Sequence, residues 1–395
     1  MLSTQIVREA REYMLQNRQL GLNGWLIHDY RHSNPIFWQV MGENIGNVTR
    51  PCYLFISLSD EPKLLTHHVD AGKFQETGVE LVIYRSRQTM QENLEGLLPS
   101  GGYVAMEYSP LGTIPRASKV DAGTIELVRS LEVEVISSAD LLQYATQRWS
   151  QAQLSSHLRS ADKLGRIVLE AFDHIGQTLA QQPTEYQVAE FIRRRFGEEG
   201  LHSPDGPIVA VNGHSSDPHY EPSSEGSSVI QEGDWVLIDL WAKETHQDGV
   251  YADITWVAYV GEEVPEKHRE VFQVVTTARD AALKYLDGSA RHGITLQGHQ
   301  VDRLAREYIA RRGYGDYFTH RLGHSIGSEV HGDAVNLDSF ETEDTRSILP
   351  GICFSIEPGI YLPEFGVRSE IDVYLSEEGP SATTPVQQEV VLIRS

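Results

Sequence analysis

The sequence predicts a chain of two domains, an α/β domain over residues 1–148 and an α+β domain over residues 149–395. A length of 395 residues favours two domains, because single hydrophobic cores usually stop growing well below this length. In the first part of the chain, short β-rich runs alternate with helical ones, which is typical of an α/β layer. In the second part, long amphipathic helices accompany strands that look antiparallel, which is typical of an α+β arrangement.

Short runs rich in β-branched and aromatic residues are the candidate strands of the first domain. They cover residues 24–30, 52–58, 80–84, 103–106 and 133–136, and a helix is predicted at 118–131. The domain has no glycine-rich phosphate-binding loop, so nothing in it predicts a nucleotide site. A polar and aromatic cluster surrounds Asn34-Pro35, and we interpret it as a strand and loop that pack on the domain's own core. Its members are Trp25, His28, Asp29, Tyr30, Arg31, His32 and Trp38.

The second domain is predicted to open with a long helix at Gln151, with Ser150 as its N-cap. Apolar residues recur every three or four positions from Leu154 to Leu179, which indicates one buried face. A second helix opens at Thr184 with a capping-box pattern. The elements predicted after it are strands at 207–211, 235–241 and 251–260, helices at 267–286 and 296–312, and strands with turns over 353–393.

Composition and charge exclude several classes of protein. The formal net charge is 33 − 56 = −23, which repels phosphates and anionic lipids, so neither a nucleic-acid nor a membrane partner is expected. No apolar run approaches the roughly 20 residues that span a bilayer, and the N-terminus lacks the apolar core of a signal peptide. The two cysteines, Cys52 and Cys353, are too few for a disulfide framework. A soluble cytoplasmic protein is therefore predicted.

Carboxylates interrupt three apolar strands of the second domain. Asp239 lies within Trp-Val-Leu-Ile-Asp-Leu-Trp, Asp253 within the strand at 251–260, and Glu357 at the end of an apolar run. A buried carboxylate without a cation costs several kcal/mol or becomes protonated. A single one is usually a hydrogen-bonded structural residue, but three in one domain point to a shared compensating charge. A pair of metal ions is the economical candidate.

The order of the motifs around these residues resembles that of a known family. The motifs are Gly323-His324-Ser325-Ile326-Gly327 with Val330-His331, Ser355-Ile356-Glu357-Pro358-Gly359, and Arg368-Ser369-Glu370. They resemble the metallopeptidases of the "pita-bread" fold, which include methionine aminopeptidase, Xaa-Pro aminopeptidase, prolidase and the metal-free creatinase. The resemblance covers about residues 150–395. The first domain resembles, more loosely, the creatinase-type N-terminal α/β domain.

The resemblance implies a role for each motif residue. It implies two divalent metal ions that share an activated water or hydroxide. The implied metal ligands are Asp239, Asp253, His324, Glu357 and Glu370, with Asp253 and Glu370 bridging. Glu357 would also accept the proton of the water, so it is a catalytic residue together with His219 and His331, which would contact the scissile carbonyl. The implied substrate-binding residues are His320 and Arg368, and Arg368 would in addition pair with a ligand carboxylate.

One feature departs from the family pattern. Asp239 and Asp253 are 253 − 239 = 14 positions apart, three more than the family's usual spacing. We interpret the extra residues as a longer hairpin turn that leaves the two strands in register. His246 and Asp248 would then be solvated loop residues.

Two features of the sequence, its complete set of implied ligands and its α/β domain, narrow the choice among the branches of the family. A complete ligand set disfavours a creatinase-like enzyme, and the α/β domain disfavours methionine aminopeptidase. The sequence thus favours hydrolysis of Xaa-Pro bonds, with a dipeptidase slightly preferred to an aminopeptidase. Hydrolysis of a small non-peptide amide or osmolyte and a non-catalytic binding protein remain alternatives. Arg346 is either the cation for a prolyl carboxylate or a solvent-facing loop charge.

The expected partners follow from the same resemblance. The substrate would be a small peptide with proline at P1′, and the protein would form a homodimer. Oxygen-rich ligation with one imidazole favours Mn²⁺, with Co²⁺, Zn²⁺ or Fe²⁺ as alternatives.

Overall fold

A computed structural model describes residues 1–42 and 45–394. The chain divides into two compact units, an N-terminal unit Met1–Gln147 and a C-terminal unit Arg148–Ser395. Within the described residues, no helix combines the length and apolar character that a bilayer crossing requires. The predicted fold class, an α/β domain followed by an α+β domain, is confirmed.

The N-terminal unit is built on one mixed sheet with strand order β4-β3-β2-β1-β5-β6. β2 pairs antiparallel with both β1 and β3, whereas β1 pairs parallel with β5, β5 with β6 and β3 with β4. The strands are β1 Leu22–Asp29, β2 Cys52–Ser57, β3 Lys63–His67, β4 Glu80–Tyr84, β5 Tyr103–Met106 and β6 Glu134–Ser137. The helices are α1 Thr4–Gln16, α2 Pro35–Met41, α3 Arg87–Leu97, α4 Ala122–Arg129 and α5 Ala139–Thr146.

Two predictions for this unit need correction. The strand β3 was not predicted, because its few residues follow Pro62 without a clear alternation of apolar and polar side chains. The helix predicted at 118–131 is shorter at both ends and covers Ala122–Arg129. It begins there because the Asp121 side chain accepts a hydrogen bond from Thr124 N, which caps the helix.

The cluster around Asn34 packs largely on the core of its own domain, as predicted. Trp25 is fully buried and donates its Nε1–H to Glu107 Oε1 at 2.6 Å, and Asn34 Nδ2 donates to Glu107 Oε2 at 3.0 Å. Asp29 accepts hydrogen bonds from Asn34 N at 3.0 Å and Trp38 Nε1 at 3.2 Å. Burial raises the pKa of Glu107 to about 7. In contrast, the side chains at 30–32 are exposed.

The C-terminal unit combines long helices with sheets that are antiparallel except for the parallel pair of β10 and β17. One sheet has the order β17-β10-β9-β7 with β8 also on β9, a second has the order β11-β12-β15-β16, and β13 pairs with β14. The helices are α6 Gln151–Thr178, α7 Glu185–Glu198, α8 Glu266–Arg291 and α9 Gly298–Arg311. The strands are β7 Leu201–His202, β8 Ile208–Val211, β9 Trp235–Glu244, β10 Ala252–Val260, β11 Ser325–Ile326, β12 Cys353–Ile356, β13 Gly359–Leu362, β14 Phe365–Arg368, β15 Ile371–Ser376, β16 Gly379–Ala382 and β17 Val391–Ile393.

The two predicted helix starts of this unit are confirmed. Ser150 and Thr184 each accept a hydrogen bond from the backbone three residues on, and Gln153 and Gln187 complete the two capping boxes. The apolar face of α6 packs over β9 and β10, with most of its predicted members buried. Leu158 is an exception, since it is 44% exposed.

The β9–β10 hairpin explains the long spacing between its two aspartates. Asp239 lies opposite Thr255, and Asp253 lies opposite Trp241. Because side chains alternate across a strand, all four side chains point to the same face of the hairpin. The last paired position is Ala242 with Ala252, so the additional residues lie in the turn beyond it.

The turn itself is fastened to α6. Glu244 accepts hydrogen bonds from Arg159 at 2.7 Å and from Lys163 at 3.2 Å. His246 is 44% exposed in its side chain but contacts Glu244 at 3.0 Å, and Asp248 is exposed. The prediction of solvated loop residues therefore holds for Asp248 and only in part for His246.

Candidate metal centre

The predicted ligands come from five places in the C-terminal unit. Asp239 is on β9 and Asp253 on β10, which places both on one face of the hairpin. His324 directly precedes β11, and Glu357 directly follows β12. Glu370 lies between β14 and β15. Since β11, β12 and β15 are neighbours in one sheet, the last three side chains are brought together by strand pairing.

Carboxylate oxygens surround one nitrogen of His324. Its Nε2 lies 3.4 Å from Glu357 Oε1, 3.7 Å from Asp253 Oδ2 and 4.0 Å from Glu370 Oε1. The atoms that Asp253, His324 and Glu370 offer all lie within 4.8 Å of one another, and all three residues are buried. Imidazole nitrogen with carboxylate oxygen is a ligand set for borderline divalent ions.

The protonation of His324 shows why this arrangement fits a cation. Its Nδ1 lies 3.2 Å from the carbonyl oxygen of Ser325, so Nδ1 carries the proton and donates it. Burial lowers the pKa of His324 well below its usual range, so the ring is neutral and Nε2 presents a lone pair. When the three neighbouring carboxyl groups are ionised, they too offer only lone pairs to it. A positive ion among them removes this repulsion.

Three of the carboxylates have an oxygen atom without a hydrogen-bond partner in the described part of the chain. These buried atoms are Asp239 Oδ1, Asp253 Oδ1 and Glu370 Oε1. Buried polar atoms are normally satisfied, because leaving one unpaired costs about 1–3 kcal/mol. Burial raises the pKa of Asp253 and of Glu370 well above the usual range, and the neighbouring carboxylates add to it. The site is thus a cage of unpaired carboxylate oxygens that favours the protonated carboxyls in the absence of a cation, and bound divalent cations would stabilise the ionised form and pair with these oxygens.

Arg368 holds the opposite side of the site. It donates from Nη2 to Asp239 Oδ2 at 2.5 Å, from Nε to Thr255 Oγ1 at 3.0 Å and from Nη1 to Tyr361 Oη at 2.8 Å. Thr255 in turn donates to Glu370 Oε2 at 2.8 Å. The pairing of Arg368 with a ligand carboxylate is therefore present as predicted. One oxygen of Asp239 is occupied by Arg368, and the other remains unpaired.

Several residues that orient the ligands were not predicted. Thr255 and Tyr361 are two of them. Ser355 accepts a hydrogen bond from His324 N at 2.9 Å and donates to Glu357 Oε1 at 3.2 Å. Asp372 accepts from Asp253 N at 2.8 Å. Asp372 carried a signal, because it is a further carboxylate in an apolar strand two positions after Glu370.

All nine predicted site residues line one cavity of about 410 Å³. His219 and His331 are exposed at its surface, and the ring of His331 lies edge-on to that of His324 at 4.3 Å. His320 is held by Tyr361 Oη, 2.7 Å from its Nε2. The lining residues are Ile208, Pro218, His219, Asp239, Trp241, Asp253, His320, Arg321, His324, Val330, His331, Glu341, Glu357, Arg368 and Glu370.

Arg346 was predicted to be either a solvent-facing loop charge or the cation for a prolyl carboxylate. The first alternative is wrong, and the structure does not support the second. Arg346 is 3% exposed and donates from Nη2 to Asp344 Oδ2 at 2.6 Å and from Nη1 to Asp333 O at 2.7 Å. It does not line the cavity. The reason lies in its neighbour, because Asp344 captures the guanidinium two positions away along the chain.

Comparison with known proteins identifies the family. The model of metallopeptidase family M24 matches residues 159–377, more than half of the chain. An uncharacterized peptidase of Bacillus subtilis is 30% identical over 263 residues, 66% of this chain and 70% of that protein. A Xaa-Pro dipeptidase of Pyrococcus furiosus is 33% identical over 217 residues, 54% of this chain and 58% of that protein. The fold matches that of dipeptidase PepE from Mycobacterium ulcerans with a TM-score of 0.69 at 23% identity, covering 99% of this chain and 98% of that chain. The chain therefore belongs to metallopeptidase family M24, with the pita-bread catalytic fold that its motifs predicted.

Proposed function

We propose that this metallopeptidase hydrolyses Xaa-Pro peptide bonds, with Xaa-Pro dipeptides as its main substrates. The observation that carries the proposal is the cage of unpaired carboxylate oxygens around a neutral His324. Asp239, Asp253, His324, Glu357 and Glu370 would hold two divalent cations. Support for the substrate comes from relatives named Xaa-Pro dipeptidase, which are 32–36% identical over about half of the chain or more.

The chemistry divides between the cations and the chain. When bound, two divalent cations lower the pKa of water and polarise a carbonyl group. Glu357 would accept the proton of the attacking water and deliver it to the leaving proline nitrogen. Without metal, burial raises the pKa of Glu357 to about 7, and bound divalent cations would lower it again, since they favour the ionised carboxylate that accepts a proton.

The histidines of the cavity would position the substrate. His219 and His331 lie exposed in its lining, where their N–H groups would donate to the carbonyl oxygen as it gains negative charge. His320 is neutral, because burial lowers its pKa to about 3, and Tyr361 and the Arg321 carbonyl fix its ring. His320 and Arg368 would contact the peptide as substrate-binding residues.

The size and walls of the cavity suit a small peptide with an apolar ring. Its volume of about 410 Å³ lies at the lower end of the ~300–1,000 Å³ that is usual for ligand pockets. Ile208, Trp241 and Val330 supply apolar lining. Such walls favour the proline ring over a charged side chain.

The test is a panel of Xaa-Pro dipeptides, Xaa-Pro-Yaa tripeptides and matched Xaa-Ala dipeptides, assayed with Mn²⁺ and after chelation. We expect metal-dependent cleavage of Xaa-Pro dipeptides and little cleavage of Xaa-Ala. Faster turnover of tripeptides would identify an aminopeptidase instead. Bound metal without hydrolysis of any Xaa-Pro peptide would refute the proposal and favour a non-peptide amide substrate or a binding role.

We further propose Mn²⁺ as the physiological metal and a homodimer as the working form. Oxygen-rich ligation with one imidazole suits Mn²⁺, although Co²⁺, Zn²⁺ or Fe²⁺ can occupy such sites. Activity reconstituted with each metal in turn tests the first proposal. Light scattering tests the second, and a fully active monomer would contradict it.

A further inference from the structure

Arg321 lines the cavity of the metal centre, and its side chain, unlike its carbonyl group, has no role in the function proposed so far. It lies between His320 and the motif of His324, and its side chain is 24% exposed.

The guanidinium of Arg321 is largely uncommitted, unlike the other arginine of the cavity. Arg368 uses Nε, Nη1 and Nη2 in hydrogen bonds to Thr255, Tyr361 and Asp239. Within residues 1–42 and 45–394, the guanidinium of Arg321 makes a single hydrogen bond, from Nη1 to Glu341 Oε2 at a long 3.4 Å. A guanidinium has five N–H donors, so most of those of Arg321 remain available.

The backbone presents this side chain from a fixed position. Arg321 N donates to Glu341 Oε1 at 3.0 Å, and Leu322 N donates to Asp302 Oδ1 at 2.8 Å. Arg306 donates to the carbonyl oxygen of His320 at 2.7 Å. The peptide groups on both sides of Arg321 are therefore tied down, while its guanidinium lines the cavity.

A dipeptide substrate needs a cationic partner for its C-terminal carboxylate in this site. The cavity lining carries five carboxylates and two arginines, which sum to −5 + 2 = −3 when ionised, so two divalent cations would leave a net charge of +1. A dipeptide brings a further negative charge, its C-terminal carboxylate, and a desolvated carboxylate requires a cationic partner. A planar guanidinium fork matches a carboxylate in two parallel hydrogen bonds.

We infer that the guanidinium of Arg321 binds the C-terminal carboxylate of the substrate and thereby selects dipeptides over longer peptides. The inference rests on the proposed function and deepens it by naming the residue that sets chain length. Glu341 would hold the side chain until the substrate carboxylate takes its place. In a longer peptide the same position carries a neutral amide, which gains no charge pairing.

The experiment compares Ala-Pro with Ala-Pro-amide, which differ in the charge of the C-terminal group. Parent, Arg321→Gln and Arg321→Lys proteins are assayed with Mn²⁺ after their metal content has been measured. For Arg321→Gln we expect kcat/KM on Ala-Pro to fall about 10- to 100-fold, mainly through KM, with no change on Ala-Pro-amide. Arg321→Lys should retain part of the preference, because the charge remains while the planar fork is lost.

The control variant is Arg303→Gln. Arg303 lies on α9 outside the cavity lining, and its positive charge pairs with Glu343. The substitution should leave both substrates unaffected, and the same selective loss in this variant would overturn the inference. Equal loss on both substrates in Arg321→Gln, or no loss, would also overturn it while leaving the proposed function intact. A parent protein that cleaves neither substrate would refute both.

Discussion

Replacing Asp253 by asparagine should make the metal-free protein more stable and the metal-loaded protein inactive. Asp253 is 4% exposed, and its Oδ1 has no hydrogen-bond partner within the described residues. Its neighbours are carboxylates, which raise its pKa in addition to the effect of burial. An asparagine of the same shape stays neutral at every pH, so it avoids the cost of ionising a buried carboxyl, and it can donate its amide N–H to the acceptors around it.

The expected gain follows from the unpaired atom. A buried, unsatisfied polar group costs about 1–3 kcal/mol, so the free energy of unfolding should rise by about that amount in chelator. Divalent metal should stabilise the parent, by about 2.7 kcal/mol when free metal is 100 times its Kd. The variant should lose this metal-dependent gain, because asparagine lacks the negative charge with which Asp253 would hold a divalent cation. Urea unfolding in chelator and in Mn²⁺ measures both terms.

Asp344→Asn is the matched control. Asp344 is as buried as Asp253, but both of its oxygens pair with Arg346. Neutralising it should therefore destabilise the protein, by about 3–5 kcal/mol if the arginine is left unpaired. The reasoning is refuted if metal-free Asp253→Asn is less stable than the parent, or if Mn²⁺ stabilises both equally.

Three further predictions concern pH and packing. The folded pKa of Glu357 is raised to about 7, so the metal-free protein should lose stability as the pH rises from about 4.5 to 7. Over the same pH range, titration calorimetry should show the metal affinity rising by ~10-fold or more. Asp302→Ala should lower the free energy of unfolding in urea by about 3–5 kcal/mol, because it leaves Arg306 and Leu322 N without a hydrogen-bond partner. Glu307→Ala, at an exposed position on the same helix, should lower it by about 0–1 kcal/mol. Glu244→Gln should lower the free energy of unfolding by about 0.5–1 kcal/mol at neutral pH. Arg159 lowers the pKa of Glu244, so the ion pair stabilises the protein above pH ~4.5, and on acidification the stability difference between parent and variant should disappear.

The ligand-bearing strands were predictable because their signal is local. Asp239 and Asp253 each stand alone in an apolar strand, and that contradiction between residue and surroundings is visible in the sequence. The helix starts at Ser150 and Thr184 were predictable for the same reason, since a capping box spans only four residues. Such features depend on near neighbours in the chain and not on tertiary contacts.

The residues that orient the ligands were not predictable, because their role depends on distant parts of the chain. Thr255 is an ordinary strand residue until the fold places it between Glu370 and Arg368, more than 110 positions away. Tyr361 likewise acquires its role only by contact with His320. Arg346 was predicted as a possible solvent-facing charge because it lies in a loop. Its burial against Asp344 depends on the fold and could not be predicted from that position.

Arg368 connects the proposed metal ligand Asp239 to Tyr361 and, through it, to His320, which we propose to contact the substrate. Its bond to Asp239 opposes the burial that raises the pKa of that carboxyl, so the ionised form a cation needs is favoured. Its bond to Tyr361 places the hydroxyl that holds His320. Lysine could not replace it, because one ammonium group cannot donate along the three separate directions of Asp239, Thr255 and Tyr361. We therefore expect a substitution at Arg368 to alter both the metal affinity and the orientation of His320.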